Sequence, residues 1–149
     1  MIHLEQTILT HLLASEEFAR KVVPFIKPIY FEDKTAELVF EYITKYLDKY
    51  NSIPTKEALT IEFDQSSITD DQYTNAMEAL SVVYDVKELT DLEWLTDKTE
   101  QWCQERAVYL AIMDSIGILD GKSDQDKGAI PDILSDALSV SFDTHIGHD

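Results

Sequence analysis

The residues whose order could do chemistry lie between Gly117 and Ser123, where Gly-Ile-Leu-Asp-Gly-Lys-Ser ends in the glycine-lysine-serine of a phosphate-cradling loop. Such a loop holds phosphates with backbone N–H groups and a lysine, and a magnesium ion with its hydroxyl; it follows a strand and opens a helix. Here three residues separate Gly117 from Gly121 where the motif has four, and the stretch follows a helical pattern and leads into Asp124 and Asp126. It reads as a helix C-terminus with Lys122 near the exposed carbonyls. A nucleotide hydrolase working through Lys122 and Ser123 would need the intact spacing. His145 and His148 with Asp143 and Asp149 have the donor types of a metal site, but no periodicity around them fixes a geometry. Cys103 lies beside Trp102 with no histidine near it in sequence, so it reads as a small buried hydrophobe rather than a nucleophile. His3 and His11 sit at either end of a first helix and are expected to reach solvent. No catalytic, cofactor or metal site is expected from these residues.

The element that would position the Gly117 stretch runs from Thr90 to Gly121. Thr90-Asp-Leu-Glu93 has the form of a capping box, and neither proline nor glycine follows until Gly117. Roughly 28 helical residues make a rod of about 42 Å. Leu95, Trp102, Tyr109 and Ile116 recur every seven residues, with Thr99, Arg106 and Met113 between them, the a/d spacing of a helix that packs lengthwise on a partner. Leu134, Ala137, Leu138 and Phe142 form an apolar side on a last helix, about Pro131 to Phe142, that can fold back as an antiparallel hairpin. Pro131 is expected at its N1 position, and the polar Asp120 to Ala129 segment before it is expected to be mobile. Candidate interface residues are therefore Leu95, Trp102, Arg106, Tyr109, Met113, Ile116, Leu134, Leu138 and Phe142.

Five helices are expected before Thr90. His3 to Ala14 carries Leu4, Ile8, Leu9 and Leu12 at helical spacing; Ser15 can cap a second helix that ends near Pro24. Pro28 should keep Lys27 to Phe31 extended, with Tyr30 and Phe31 as buried anchors. Lys34 to Tyr50 shows a full stripe of Ala36, Val39, Phe40, Ile43, Tyr46, Leu47 and Tyr50. Thr55 caps a short helix with Leu59 and Phe63 inside, and Thr69-Asp-Asp-Gln72 is a capping box opening a helix with Tyr73, Ala76, Met77, Leu80, Val83 and Tyr84. No period-two alternation appears, so the fold class is all-α.

The 149 residues carry 12 basic and 29 acidic side chains, a net charge of −17. Affinity for nucleic acid comes mainly from lysine and arginine neutralising phosphates, so this balance opposes direct tight DNA binding. Residues 1 to 30 carry three acidic and three basic side chains and are the least repelled by an acidic partner. One cysteine excludes an intramolecular disulfide, and no apolar run approaches the roughly 20 residues of a membrane span, so a cytoplasmic protein is expected.

Leu4-Glu-Gln with Ile8, Leu12 and Leu13, then Phe18, Val22, Tyr30-Phe31, Val39-Phe40, Ile43 and Pro54 before Leu59, resembles the N-terminal domain of DnaB-type replicative DNA helicases. Gln104-Glu-Arg-Ala-Val108 resembles part of that family's helical hairpin. Gly128-Ala-Ile-Pro-Asp-Ile-Leu, Ala137-Leu-Ser-Val-Ser-Phe-Asp143 and Gly147-His-Asp149 are most similar to the helicases of T-even-like bacteriophages. The resemblance implies a six-helix globular head over residues 1–88, a protruding helical hairpin over 89–143, and over 144–149 the start of a linker to a RecA-like ATPase domain. It further implies a non-catalytic collar that forms dimers, or a trimer of dimers in a hexamer, and docks primase and helicase loader. ATP and magnesium would belong to the ATPase domain of the longer protein. The helicase-binding domain of a primase has a similar head and hairpin and is the alternative reading.

Overall fold

The computed structural model describes residues 2–142. Among these the chain forms seven α-helices and three 3₁₀ turns and no strand. Two compact units divide between Thr96 and Asp97.

In the first unit, α1 (His3–Ala14) ends where Ser15 turns extended, and the Ser15 hydroxyl then accepts the Phe18 N–H at 3.1 Å to start α2 (Glu16–Val22). Pro24 falls in a 3₁₀ turn, Val23–Phe25. Lys27 and Phe31 are extended as expected, but Pro28 opens a second 3₁₀ turn, Pro28–Tyr30, instead of prolonging the extended run. The ring fixes φ near the helical value and suits the first position of a helical turn, where no N–H is needed. That turn buries Tyr30 and Phe31, and the Phe31 ring lies 5.1 Å from Phe40.

Helix α3 (Lys34–Tyr50) is capped by the Asp33 carboxylate, which accepts the Ala36 N–H at 2.9 Å. It ends at Asn51, held in the left-handed region at φ 58°, a conformation asparagine tolerates better than most residues. Arg20 donates to the Asn51 backbone and side-chain oxygens at 2.6 and 3.0 Å, joining α2 to the carbonyl end of α3. Helix α4 (Lys56–Asp64) starts on Thr55, and α5 (Asp70–Tyr84) starts on the complete Thr69/Gln72 capping box. Ile8, Leu12, Phe18, Phe40, Ile43, Leu59, Phe63 and Leu80 make the core, each essentially inaccessible to solvent. Tyr50, the last residue of α3 and the last member of the expected stripe, is exposed. Tyr84 donates its hydroxyl to the Pro54 carbonyl at 3.1 Å, and burial pushes its pKa well above the ordinary value.

Helix α6 (Leu92–Leu119) is the long helix expected from the sequence. Its cap is Asp91, whose carboxylate accepts the Trp94 N–H at 2.9 Å, and not the Thr90/Glu93 pair. The Thr90 amide is already committed: it donates to His11 Nε2 at 2.9 Å. His11, expected in solvent, is buried, with Nδ1 2.7 Å from the Thr7 carbonyl. These bonds require the neutral ring, with Nδ1–H donating and Nε2 accepting, and they fasten the entry of α6 to α1.

The second unit contains residues from Asp97 onward. In it Thr99, Cys103, Ala107, Ala111 and Ser115 are buried at steps of four, followed by Ile118, with Trp102 alongside. On a straight α-helix a seven-residue repeat falls behind by about 20° per heptad, while each step of four gains about 40°. The expected heptad row and the observed buried row therefore part company by Tyr109. A 3₁₀ turn, Lys127–Ala129, leads into α7 (Ile130–Leu138), where Pro131 stands at the second position rather than the first. Helix α7 stops four residues before Phe142 because the Ser139 hydroxyl turns back to the Asp136 carbonyl at 2.8 Å. Beyond it, Glu100 on α6 accepts the Phe142 N–H at 2.8 Å, and Gln104 donates to the Val140 carbonyl at 3.0 Å.

Candidate functional site

The glycine-lysine-serine stretch is a helix C-terminus. The Lys122 N–H donates to the Gly117 carbonyl at 2.9 Å and the Gly121 N–H to the Ile118 carbonyl at 3.1 Å, the paired bonds of a Schellman motif. Gly121 supplies the positive φ of 73° that the motif requires. Gly117 lies inside α6. This end of a helix presents carbonyls and the negative pole of the dipole, an arrangement that repels phosphate.

Cys103 is fully buried. Burial and then the nearby Glu100 carboxylate push its thiol up to about 12. Since the thiolate is the reactive species, native protein is expected to leave Cys103 unmodified by Ellman's reagent at pH 8, with reaction only after denaturation. Rapid reaction of the folded chain would contradict this placement. Among the described residues no group of three or more His, Cys, Asp or Glu is placed to hold a metal ion. Asp143, His145, His148 and Asp149 lie outside the described residues.

What the second unit does present is an apolar row. Tyr109, Ile112, Met113, Ile116 and Leu119 are each between 45% and 58% exposed. On a helix of 3.6 residues per turn these five positions fall within an arc of about 120°, opposite in character to the small residues Ala107, Ala111 and Ser115 that α6 buries. The Arg106 guanidinium lies 5.0 Å from the Tyr109 ring centre and stiffens one end of the row. Leu138 of α7 is 74% exposed, so it does not share the inward side of that helix with Ala137.

The chain is 35% identical, over 97% of its length, to a DnaB-like replicative helicase of Enterobacteria phage T4. This is a relative of the DnaB-like replicative helicases. The chain spans 32% of that helicase's length. No family model matches the chain.

In this DnaB-like chain the nine candidate interface residues separate into three groups. Leu95 and Trp102 are buried within the chain; Arg106, Leu134 and Phe142 are half-buried; Tyr109, Met113, Ile116 and Leu138 are exposed. Ile112 and Leu119 belong to the exposed row and were missed by the heptad reading. Continuing from Tyr109 and Ile116 at steps of three would have found both. Glu5, in the Leu4-Glu-Gln stretch of the resemblance, is another residue with a role that sequence patterns do not mark. Its carboxylate is fully buried and accepts the backbone N–H groups of Glu32 and Asp33 at 2.8 and 3.2 Å. Among the described residues no helix is long and apolar enough to cross a membrane.

Proposed function

We propose that the chain is the N-terminal collar of a phage replicative DNA helicase, self-associating through the exposed α6 row and docking primase and helicase loader during DNA replication. The observation that carries this reading is the row itself: five large apolar side chains on one arc of a helix, a contiguous patch of the kind that marks interfaces in soluble proteins. Self-association across such a row favours a symmetric pair of chains, the commonest closed arrangement. Pairs of this kind repeated around a ring would give a trimer of dimers.

The similarity to a helicase favours this reading over the helicase-binding domain of a primase. The carbonyl-rich geometry at Gly117 to Lys122 argues against a nucleotide hydrolase acting through Lys122 and Ser123. On this reading ATP, magnesium and strand separation belong to a separate ATPase domain of the longer protein. The gene itself provides the test. A reading frame that continues past Asp149 into a correctly spaced phosphate-binding loop supports the helicase; continuation into a primase catalytic domain overturns it. The 149-residue chain alone is expected to hydrolyse no ATP and to bind duplex DNA no tighter than micromolar at physiological salt, given 29 acidic against 12 basic side chains. Sub-micromolar binding in an equilibrium titration would refute the collar reading as stated.

A further inference from the structure

The second half of α3 forms one wall of a cleft of about 400 Å³ that the collar reading does not use. Tyr42, Lys45, Tyr46, Lys49 and Tyr50 line it, faced by Glu62 and the residues that follow the end of α4. The three tyrosines are spaced four apart and so are the two lysines, which puts each set on one line along the helix, with successive members about 6 Å apart. Packing fixes the rings: Tyr42 lies 4.6 Å from Phe63, and Tyr46 lies 4.8 Å from Tyr50. The Lys45 ammonium sits 5.4 Å from the centre of the Tyr42 ring and the Lys49 ammonium 5.5 Å from that of Tyr50.

Among the described residues, neither lysine has a carboxylate within ion-pair distance and none of the three hydroxyls has a protein acceptor. On a chain of net charge −17 the cleft is locally cationic, its lining carrying two ammoniums against the single carboxylate of Glu62. Lys49 stands in the last turn of α3, where a cation favours the helix dipole. That accounts for one ammonium, and not for Lys45 a turn earlier, for the ring ladder or for the cavity.

The donors name the ligand. Two ammoniums and three phenol hydroxyls offer N–H and O–H groups to an acceptor-rich partner, and the aromatic wall offers apolar cover. A single-stranded nucleic acid fits poorly, because base stacking needs free ring faces and these rings are covered by lysines or by each other. A peptide with two carboxylates one helical turn apart and an apolar side chain between them matches both the charge spacing and the cavity.

We propose that this cleft receives an acidic peptide segment of a partner protein, its carboxylates on Lys45 and Lys49 and an apolar side chain in the cavity. The site lies wholly within the unit that ends at Thr96, so it stands whether or not the chain assembles through α6. The test uses the full 149-residue chain and two fluorescein-labelled probes read by anisotropy: a helical peptide with Glu at i and i+4 beside a Phe, and an oligothymidylate. The peptide should bind, and binding should weaken about tenfold or more in Lys45→Glu/Lys49→Glu, with helicity unchanged and the thermal midpoint lowered only by the small cost of an acidic residue at the end of α3. Tyr46→Phe, which removes only a hydroxyl, should weaken it less. Equal binding by the double variant, no peptide binding at all, or binding of the oligothymidylate in preference to the peptide would each overturn the proposal.

Discussion

Glu5→Ala is expected to lower the unfolding free energy by about 3 kcal/mol at neutral pH, read as a lower urea midpoint. The substitution strands the Glu32 and Asp33 N–H groups, which now donate to the Glu5 carboxylate, and each lost charge-assisted bond costs about 1 to 3 kcal/mol. It also leaves space where a fully buried side chain stood. Working against these losses, the carboxylate itself is unfavourably placed when ionised: burial raises its pKa above the ordinary 4.5 more strongly than the two backbone bonds lower it, and Glu32 and Asp33 add repulsion. The sign of the pH dependence follows. The folded state holds the Glu5 proton more tightly than the unfolded state, so the carboxyl contributes fully to stability below pH 4.5 and loses part of that contribution as pH rises through its elevated folded value. Glu5→Gln removes this titration. The urea midpoint of the natural chain relative to Glu5→Gln should therefore fall as pH is raised from 4.5 toward neutrality, the other carboxylates cancelling in the comparison. A relative midpoint that rises with pH would mean that the two N–H bonds outweigh desolvation.

Glu5 also shows where the sequence stops being informative. Helices α3 and α5 were legible because their signals are local: an apolar stripe at steps of three and four, and a threonine three residues ahead of a glutamine. Glu5 and His11 carry no such mark. Their partners lie 27, 28 and 79 residues away, at Glu32, Asp33 and Thr90, and a buried polar side chain is defined by those distant groups rather than by its neighbours in sequence. The same long-range bond explains the misplaced start of α6. Thr90-Asp-Leu-Glu93 satisfies the capping-box pattern, but His11 takes the Thr90 amide and Asp91 takes over the cap. The heptad on α6 was legible as a repeat and misleading as a face, because a straight helix does not keep period seven aligned. Tyr46 and Tyr50 read in sequence as part of the α3 core stripe, which does not include Tyr42. Only the position of α4 shows that its outer half borders a cleft.

Tyr109→Asp/Ile116→Asp is expected to abolish self-association, with sedimentation giving the mass of a single chain and circular dichroism showing unchanged helicity. Both positions are about half exposed in the isolated chain, so the substitutions leave its own core intact. An unpaired charge buried in an apolar seam costs about 3 kcal/mol or more, over a hundredfold in the association constant, and a symmetric interface meets each substitution twice. The consequence should reach α7. Nine residues are too few for a stable isolated helix in water. Within one chain α7 is held by Ala137 beneath it and by the Glu100 and Gln104 bonds to the segment after it, while Leu138 remains uncovered. If a second copy covers Leu138 along with the α6 row, dilution of the natural chain should speed amide exchange in Ile130–Leu138 and leave Val39 to Leu47 protected, since local opening costs less than global unfolding. The double variant should exchange at the diluted rate at every concentration. Unchanged mass in the double variant, together with exchange in α7 that ignores concentration, would show that Glu100 and Gln104 hold α7 within one chain and that the row serves something other than self-association.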